Sequence, residues 1–110
     1  MKSYTVSFTP RAERQLAQLY RYIADESGEA RAERYVGKIV AACQALSTFP
    51  ERGSQRNDVR PNLRTMGYAR SVTIAFSVDG MTDAVAIHGV FYGGQDFETM
   101  LRDADGDGDD

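Results

Sequence analysis

The sequence predicts a single α+β domain in which a hairpin of two antiparallel helices packs on one face of a small antiparallel sheet. Three observations support this prediction. The chain opens with alternating apolar and polar residues, two segments with apolar residues three or four positions apart follow, and the alternation then returns. A chain of 110 residues has the length of one domain, and a domain of this size needs no metal or disulfide to fold.

The first strand is predicted over residues 4–8 and the first helix directly after it. Thr9 has the properties of a helix N-cap, and Pro10 suits the first helical position because its missing N–H would have no partner there. The helix is amphipathic and ends at Ser27-Gly28. Its apolar positions are Ala12, Leu16, Leu19, Tyr20 and Ile23.

A second amphipathic helix begins almost at once and ends at Phe49-Pro50, because proline cannot continue a helix. The short connection makes the two helices antiparallel neighbours. The apolar side of the second helix consists of Ala32, Tyr35, Val36, Ile39, Ala42, Cys43 and Leu46.

Two adjacent strands over residues 71–78 and 84–92 form a hairpin around the turn at Asp79-Gly80, after a loop over residues 51–62 and a weaker strand at residues 63–66. Together these elements predict the order β-α-α-β-β-β. A strand buried on both faces would be apolar throughout, and each helix supplies one apolar stripe. We therefore expect the sheet face away from the helices to be open.

Alternation in the last strand divides its side chains between the two faces of the sheet. Val85, Ile87 and Phe91 are expected to face the helices, whereas His88 and Tyr92 are expected on the open face together with Val90. Arg70 has the parity of the buried strand residues, so it is expected at the edge of the packed layer, in a salt bridge or in contact with an anionic partner.

Charge is distributed unevenly along the chain. Five aspartates lie in residues 103–110, and removing them from the net charge of −3 leaves +2 for residues 1–102. We expect residues 1–102 to form the domain and residues 103–110 to be a disordered acidic tail. Between residues 52 and 70, five arginines and one aspartate give an excess of +4. This segment favours a nucleic acid or an acidic protein surface as partner, although solvated loop arginines explain the charge equally well.

Several classes of function have little support in the sequence. Cys43 is the only cysteine and His88 the only histidine, so a disulfide within the chain is excluded and a zinc site is disfavoured. The segment Asp103–Gly108 begins like a calcium loop but lacks its closing glutamate, and no phosphate-binding glycine loop is present. We expect no metal and no cofactor. No apolar stretch has the length of a signal peptide or a membrane span, which predicts a cytoplasmic protein without membrane contact.

Four segments together resemble the ParE branch of the RelE/ParE superfamily, the toxins of type II toxin–antitoxin pairs. They are YTVSFTPRAERQLAQLYRYIADESG, ARAERYVGKIVAACQALSTFPERGSQRND, PNLRTMGYARSVTIAFSV and FYGGQDFETML. They cover essentially residues 4–101 in the family's order. The most specific parts are the phrase from Phe49 to Asp58 and the Gly-Gly-Gln-Asp ending, and the residues after Arg102 lie outside the pattern.

The resemblance implies a hetero-oligomer with a cognate antitoxin that binds DNA and is partly disordered when free. It also implies a free toxin that inhibits DNA gyrase by protein–protein contact, in the context of plasmid or chromosome stabilisation, without sequence-specific contact to nucleic acid. On this interpretation the chain is not an enzyme, and its partner-binding residues are Arg64, Arg70, His88 and Tyr92.

The RelE branch implies a different activity, which is ribosome-dependent cleavage of mRNA. RelE-type relatives use basic residues in the central strands, an arginine after the last strand and a tyrosine in the C-terminal turn. Arg64 and Arg70 match the first of these features, but Gly93-Gly94-Gln95 offers no arginine and the region of Met100 no tyrosine. His88 and Tyr92 keep an acid–base nuclease open as an alternative, and a non-toxic partner-binding module on the same fold is a third.

Overall fold

The computed structural model describes residues 3–68, 71–93 and 101. Within them, two helices pack on a sheet with the strand order β1-β5-β4-β3-β2, which confirms the predicted α+β fold. The elements are β1 (Thr5–Phe8), α1 (Pro10–Ser27), α2 (Glu29–Gln44), a 3₁₀ turn (Ala45–Ser47), β2 (Ser54–Gln55), β3 (Leu63–Tyr68), β4 (Val72–Asp79) and β5 (Ala84–Tyr92).

The helix hairpin begins and turns where the sequence predicts. The side chain of Thr9 accepts a hydrogen bond from the amide of Ala12 at 3.2 Å, which caps α1. Gly28 alone connects the two helices, and its φ of 96° is one that residues with a side chain rarely adopt. Its amide donates to the carbonyl of Ala24 and its carbonyl accepts from the amide of Ala32. The hairpin is therefore tight because both helix ends share one residue.

The sheet is mixed rather than purely antiparallel. Strand β1 runs parallel to β5, and the remaining strand pairs of the sheet are antiparallel. A parallel pair requires a crossover connection, and the helix hairpin starts that crossover directly after β1. The short strand β2 lies in the segment that composition assigns to a loop, and it extends the sheet beyond β3.

The main core lies between the helices and one sheet face. Burial in it raises the pKa of the Cys43 thiol to about 12, so this thiol stays protonated at neutral pH. The buried members of this core are Ala12, Leu19, Ile39, Cys43, Leu46, Val72, Ile74, Phe76, Val85, Ile87 and Val90.

A β-bulge at His88 changes the side-chain faces of β5. Phe76 pairs with Ile87 and Ala75 pairs with Gly89, so His88 is an extra residue on β5. Beyond this residue the alternation shifts by one position. Val90 and Tyr92 pack against the main core, whereas Phe91 packs on the other face.

The prediction of faces from alternation is therefore wrong after the bulge. Val90, Phe91 and Tyr92 each lie on the face opposite to the expected one, because the inserted residue reverses the parity of every position that follows it. His88 stays on the face away from the helices, where it contacts Ser77 of β4.

A second core covers part of the face that alternation predicts to be open. It consists of Val59, Leu63, Ala75, Phe91 and Leu101, all of them buried. The bulge supplies Phe91, the loop before β3 supplies Val59, and the C-terminal segment supplies Leu101. The expectation of an open face is therefore wrong at this end of the sheet.

Gln15 links α1 to the bulged strand. Its Oε1 accepts a hydrogen bond from the amide of Val90 at 2.8 Å, and the side chain is only 5% exposed. A buried backbone amide without an acceptor is costly, so this polar side chain has a structural role inside the helix–sheet interface.

We expect Gln15→Leu to lower the free energy of unfolding by about 1–2 kcal/mol, because it leaves the Val90 amide without this acceptor. Removal of Nε2, which has no hydrogen-bond partner among the described residues, offsets part of the loss. Urea denaturation measures the effect, and Gln18→Leu on the exposed side of the same helix is the control. Equal stability of the two variants would contradict this role for Gln15.

Candidate partner-binding site

Arg64 lies on β3 at a polar groove near the β2 edge of the sheet. Its Nη1 donates to the backbone carbonyl of Arg52 at 3.1 Å, which holds the guanidinium across the short β2–β3 pair. The groove has a volume of about 220 Å³. Arg64 shares it with Tyr4, Glu51, Gln55, Asn57, Asn62, Leu63, Val78 and Gly80.

His88 occupies a second groove on the face away from the helices. Its Nε2 lies 2.7 Å from Oγ of Ser77, and the tautomer decides which atom donates. This groove has a volume of about 540 Å³, and its lining includes Arg60, Asn62 and Asp79. The arginine that shares a groove with His88 is therefore Arg60.

The sequence alone does not identify Arg60 as a site residue. The available signal was its position in the basic segment, but composition could not show which of five arginines faces the histidine. The structure gives the reason: the Arg60 carbonyl accepts from the Leu63 amide at 3.2 Å, and the Arg56 carbonyl accepts from the Arg60 amide at 3.3 Å. These bonds fold the loop so that Arg60 stands beside the ends of β3 and β4.

Arg56 is held differently from Arg60 and Arg64. Its Nε and Nη2 donate to the two carboxylate oxygens of Asp58 at 3.0 and 2.9 Å. This bidentate pair is exposed, so its contribution to stability is small, about 0–1 kcal/mol. The pair nevertheless fixes the orientation of one guanidinium and neutralises part of the basic loop.

Tyr92 lies in a third groove, on the side of the sheet that the helices cover. This groove is lined mainly by apolar and aromatic side chains from the far end of the helix hairpin and has a volume of about 370 Å³. Its residues are Leu19, Tyr22, Ile23, Ser27, Arg31, Tyr35, Ser71, Tyr92 and Gly93.

The four residues selected from the sequence therefore do not form one site. The bulge places His88 and Tyr92 on opposite faces, which contradicts the expectation that both line the open face. Arg64 lies in the groove at the sheet edge, which adjoins the His88 groove through shared residues such as Asn62 and Val78. Arg70 lies outside the described residues, as do residues 103–110, for which the sequence predicts an acidic tail.

The His88 groove combines the positive charge of Arg60 with the carboxylate of Asp79 and with neutral hydrogen-bonding groups. An arginine and a histidine together can bind an anionic group and can also exchange a proton with it. A protein-binding surface and an RNA-cleaving site both use these properties. No group of three or more acidic, cysteine or histidine side chains in the described ranges has the arrangement of a metal site.

The helix hairpin, the mixed five-stranded sheet and the polar grooves at its edge define a small α+β protein with the RelE/ParE architecture. The chain belongs to the family of ParE toxins of type II toxin–antitoxin systems, whose family model matches residues 6–97. A search of curated proteins gives no match. Among the described residues, no helix is both long and apolar enough to cross a membrane.

Two solved structures have a similar fold. A chain of the chromosomal ParDE toxin–antitoxin system from P. aeruginosa is 22% identical, with a TM-score of 0.70 over 82% of this chain and 96% of that chain. A chain of the toxin–antitoxin complex RelBE2 from Mycobacterium tuberculosis is 20% identical, with a TM-score of 0.58 over 83% of this chain and 99% of that chain. At these identities the likeness concerns the fold.

Proposed function

We propose that this protein is a binding-type toxin that inhibits DNA gyrase by protein–protein contact and is kept inactive by a cognate antitoxin. The family match supports the toxin class. The two similar structures come from a toxin–antitoxin system and a toxin–antitoxin complex, which supports an antitoxin as the partner. On this proposal the protein acts in the cytoplasm, where gyrase and its DNA are found. Its inactive form is a hetero-oligomer of toxin and antitoxin.

The separation of His88 from Tyr92 is the observation that favours binding over catalysis. RNA cleavage by acid–base catalysis requires a base for the 2′-hydroxyl and an acid for the leaving 5′-oxygen within reach of one scissile bond. The bulge places Tyr92 among the helix residues and leaves His88 on the other face. The sequence after β5 also has no arginine at Gly93-Gly94-Gln95.

One observation supports the rival activity, a ribosome-dependent endoribonuclease. His88, Ser77 and Arg60 lie in one groove, and this set supplies a proton-exchanging group and a cation without Tyr92. A non-toxic module that binds a partner through the same grooves is the third possibility. Activity assays separate the three.

Purified, antitoxin-free protein is expected to inhibit DNA supercoiling by gyrase and to leave mRNA on translating ribosomes intact. The two reactions are run side by side with the same preparation. New mRNA ends together with unchanged supercoiling would overturn the proposal in favour of the nuclease. No effect in either reaction would favour the non-toxic module.

Arg64→Ala is expected to weaken gyrase inhibition by about tenfold, the effect of losing one charged contact at an interface. Arg34→Ala is the matched control because Arg34 is exposed on α2, away from the grooves. Thermal unfolding of both variants checks the fold. His88→Ala adds a second comparison, since a nuclease would lose cleavage completely while a binding surface would lose only part of its affinity.

A further inference from the structure

Leu101 fixes the start of the acidic C-terminal segment beside the basic loop. Leu101 is fully buried in the second core, in the same cluster as Val59 and Leu63. Val59 directly precedes Arg60 in the chain, and Leu63 directly precedes Arg64. The first of the five aspartates, Asp103, follows Leu101 by two residues. The acidic segment therefore starts close to the basic loop.

The basic loop, residues 52–64, is an ordered surface. The amide of Arg56 donates to the carbonyl of Leu63 at 2.7 Å, and the carbonyl of Arg56 accepts from the amide of Val59 at 3.1 Å. With the bonds of Arg60 described above, these contacts close the loop on itself. These bonds hold the backbone that carries the arginines, so little ordering of the loop backbone is needed when an anionic segment binds.

Acidic side chains among the described residues already lie beside the loop arginines. Asp58 pairs with Arg56, Glu51 lines the Arg64 groove and Asp79 lines the His88 groove. The side chain of Asp79 also accepts from the amide of Met81 at 2.9 Å, which occupies one of its oxygens. Each arginine has five N–H donors, so an existing contact leaves donors for further acceptors.

We propose that the acidic segment, residues 103–110, docks onto the basic loop and competes there with external anionic partners. The nine residues that follow Leu101 can span at most about 30 Å, which is sufficient to cross the loop and the His88 groove. A short tether gives an effective concentration in the millimolar range. Weak ion pairs are therefore sufficient for substantial occupancy, and salt weakens them.

This docking differs from the disordered acidic tail that composition alone predicts. It does not depend on gyrase as the target, because it concerns only which anionic groups reach the basic loop. An external occupant, either a nucleic acid or an acidic protein surface, would meet a loop that is already partly neutralised. The acidic segment would then act as an internal competitor that raises the threshold for such partners.

Paramagnetic relaxation measures the docking directly in the full chain. A spin label is attached at Asp110→Cys, since Cys43 is fully buried and protonated. The matched variant carries the same label with Asp103, Asp105, Asp107 and Asp109 changed to asparagine. We expect the charged segment to broaden the amide signals of residues 52–64 at least about twofold more than the neutral segment, with the excess lost in about 0.5 M NaCl.

Equal broadening by the charged and neutral segments would overturn the proposal, because the tether alone would then explain the proximity. Excess broadening that persists in high salt would also contradict it. The spin label thus compares two chains with the same length and the same tether, which differ only in the four charges.

Competition is measured with a fluorescent oligodeoxynucleotide and a fluorescent oligoaspartate peptide as anionic probes. The four-asparagine variant without the label is expected to bind either probe about tenfold more tightly at low salt. The control removes four exposed helix charges instead, with Asp25→Asn, Glu26→Gln, Glu29→Gln and Glu33→Gln. The same gain in the control would show that bulk charge alone is responsible and would overturn the proposal.

Discussion

Phe91→Ala is expected to lower the free energy of unfolding by about 3–5 kcal/mol, the range for removing a buried phenylalanine. Phe91 is 2% exposed and packs in the second core with Leu63 and Leu101. The loss would be a large part of a total stability that is typically about 5–15 kcal/mol. Urea denaturation followed by circular dichroism measures it, provided that the unfolding slope stays unchanged.

Phe49→Ala is the matched control for this experiment. Phe49 is 63% exposed, so the same chemical change at this site should alter stability by no more than about 0.5 kcal/mol. A similarly small effect at Phe91 would mean that the sheet face away from the helices is open. That result would agree with the open face expected from alternation. It would also contradict the burial of Leu101, on which the docking of the acidic segment depends.

Local signals in the sequence were sufficient for the helix hairpin. Thr9-Pro10 and Gly28 are positioned by bonds between near neighbours in the chain, namely the cap to Ala12 and the turn around Gly28. Such short-range contacts appear directly as residue preferences at helix ends. The hairpin therefore follows from sequence reasoning, and so does the fold class that it helps to define.

The sheet edge and the parallel pair depend on contacts between distant residues. β1 meets β5 about 80 positions later in the chain, and β2 is a two-residue strand whose composition is that of a loop. The second core combines Val59 from that loop with Leu101 from a segment of weak periodicity. No periodic pattern connects these residues, so alternation in the hairpin alone predicted an open face.

The sequence contains one local signal for the bulge. An isolated glycine within a strand pattern is typical of a β-bulge, and Gly89 interrupts the alternation directly after His88. Treating β5 as regular placed Phe91 and Tyr92 on the wrong faces, and the predicted His88–Tyr92 site followed from that error. The candidate site was therefore only partly predictable: Arg64 and His88 line adjoining grooves, whereas Arg60 required the loop geometry.

Gly89→Ala is expected to destabilise the protein by about 1–3 kcal/mol, the usual effect of overpacking. A Cβ at this position would lie 2.6 Å from Cζ of Phe91 and closer still to Cε2, and 3.1 Å from Oε1 of Gln15. Gly67→Ala in β3 is the matched control, since nothing lies within 4 Å of its added methyl group. We expect the control to lose no stability, because alanine restricts the unfolded chain more than glycine does. Equal effects at the two positions would contradict the close packing of Phe91 over the bulge.

A double-mutant cycle distinguishes this packing from a general preference for glycine in the bulge. Phe91→Leu removes the ring atoms that the new methyl group would meet and keeps an apolar side chain in the second core. If the ring is the obstacle, Gly89→Ala should cost less in the Phe91→Leu background, with a coupling of about 1 kcal/mol between two residues in contact. If the backbone of the bulge is what requires glycine, the two losses will add. Coupling would show that Gly89 lets the Phe91 ring fold back over the bulge, which connects the irregular strand to the second core and to the position of Leu101.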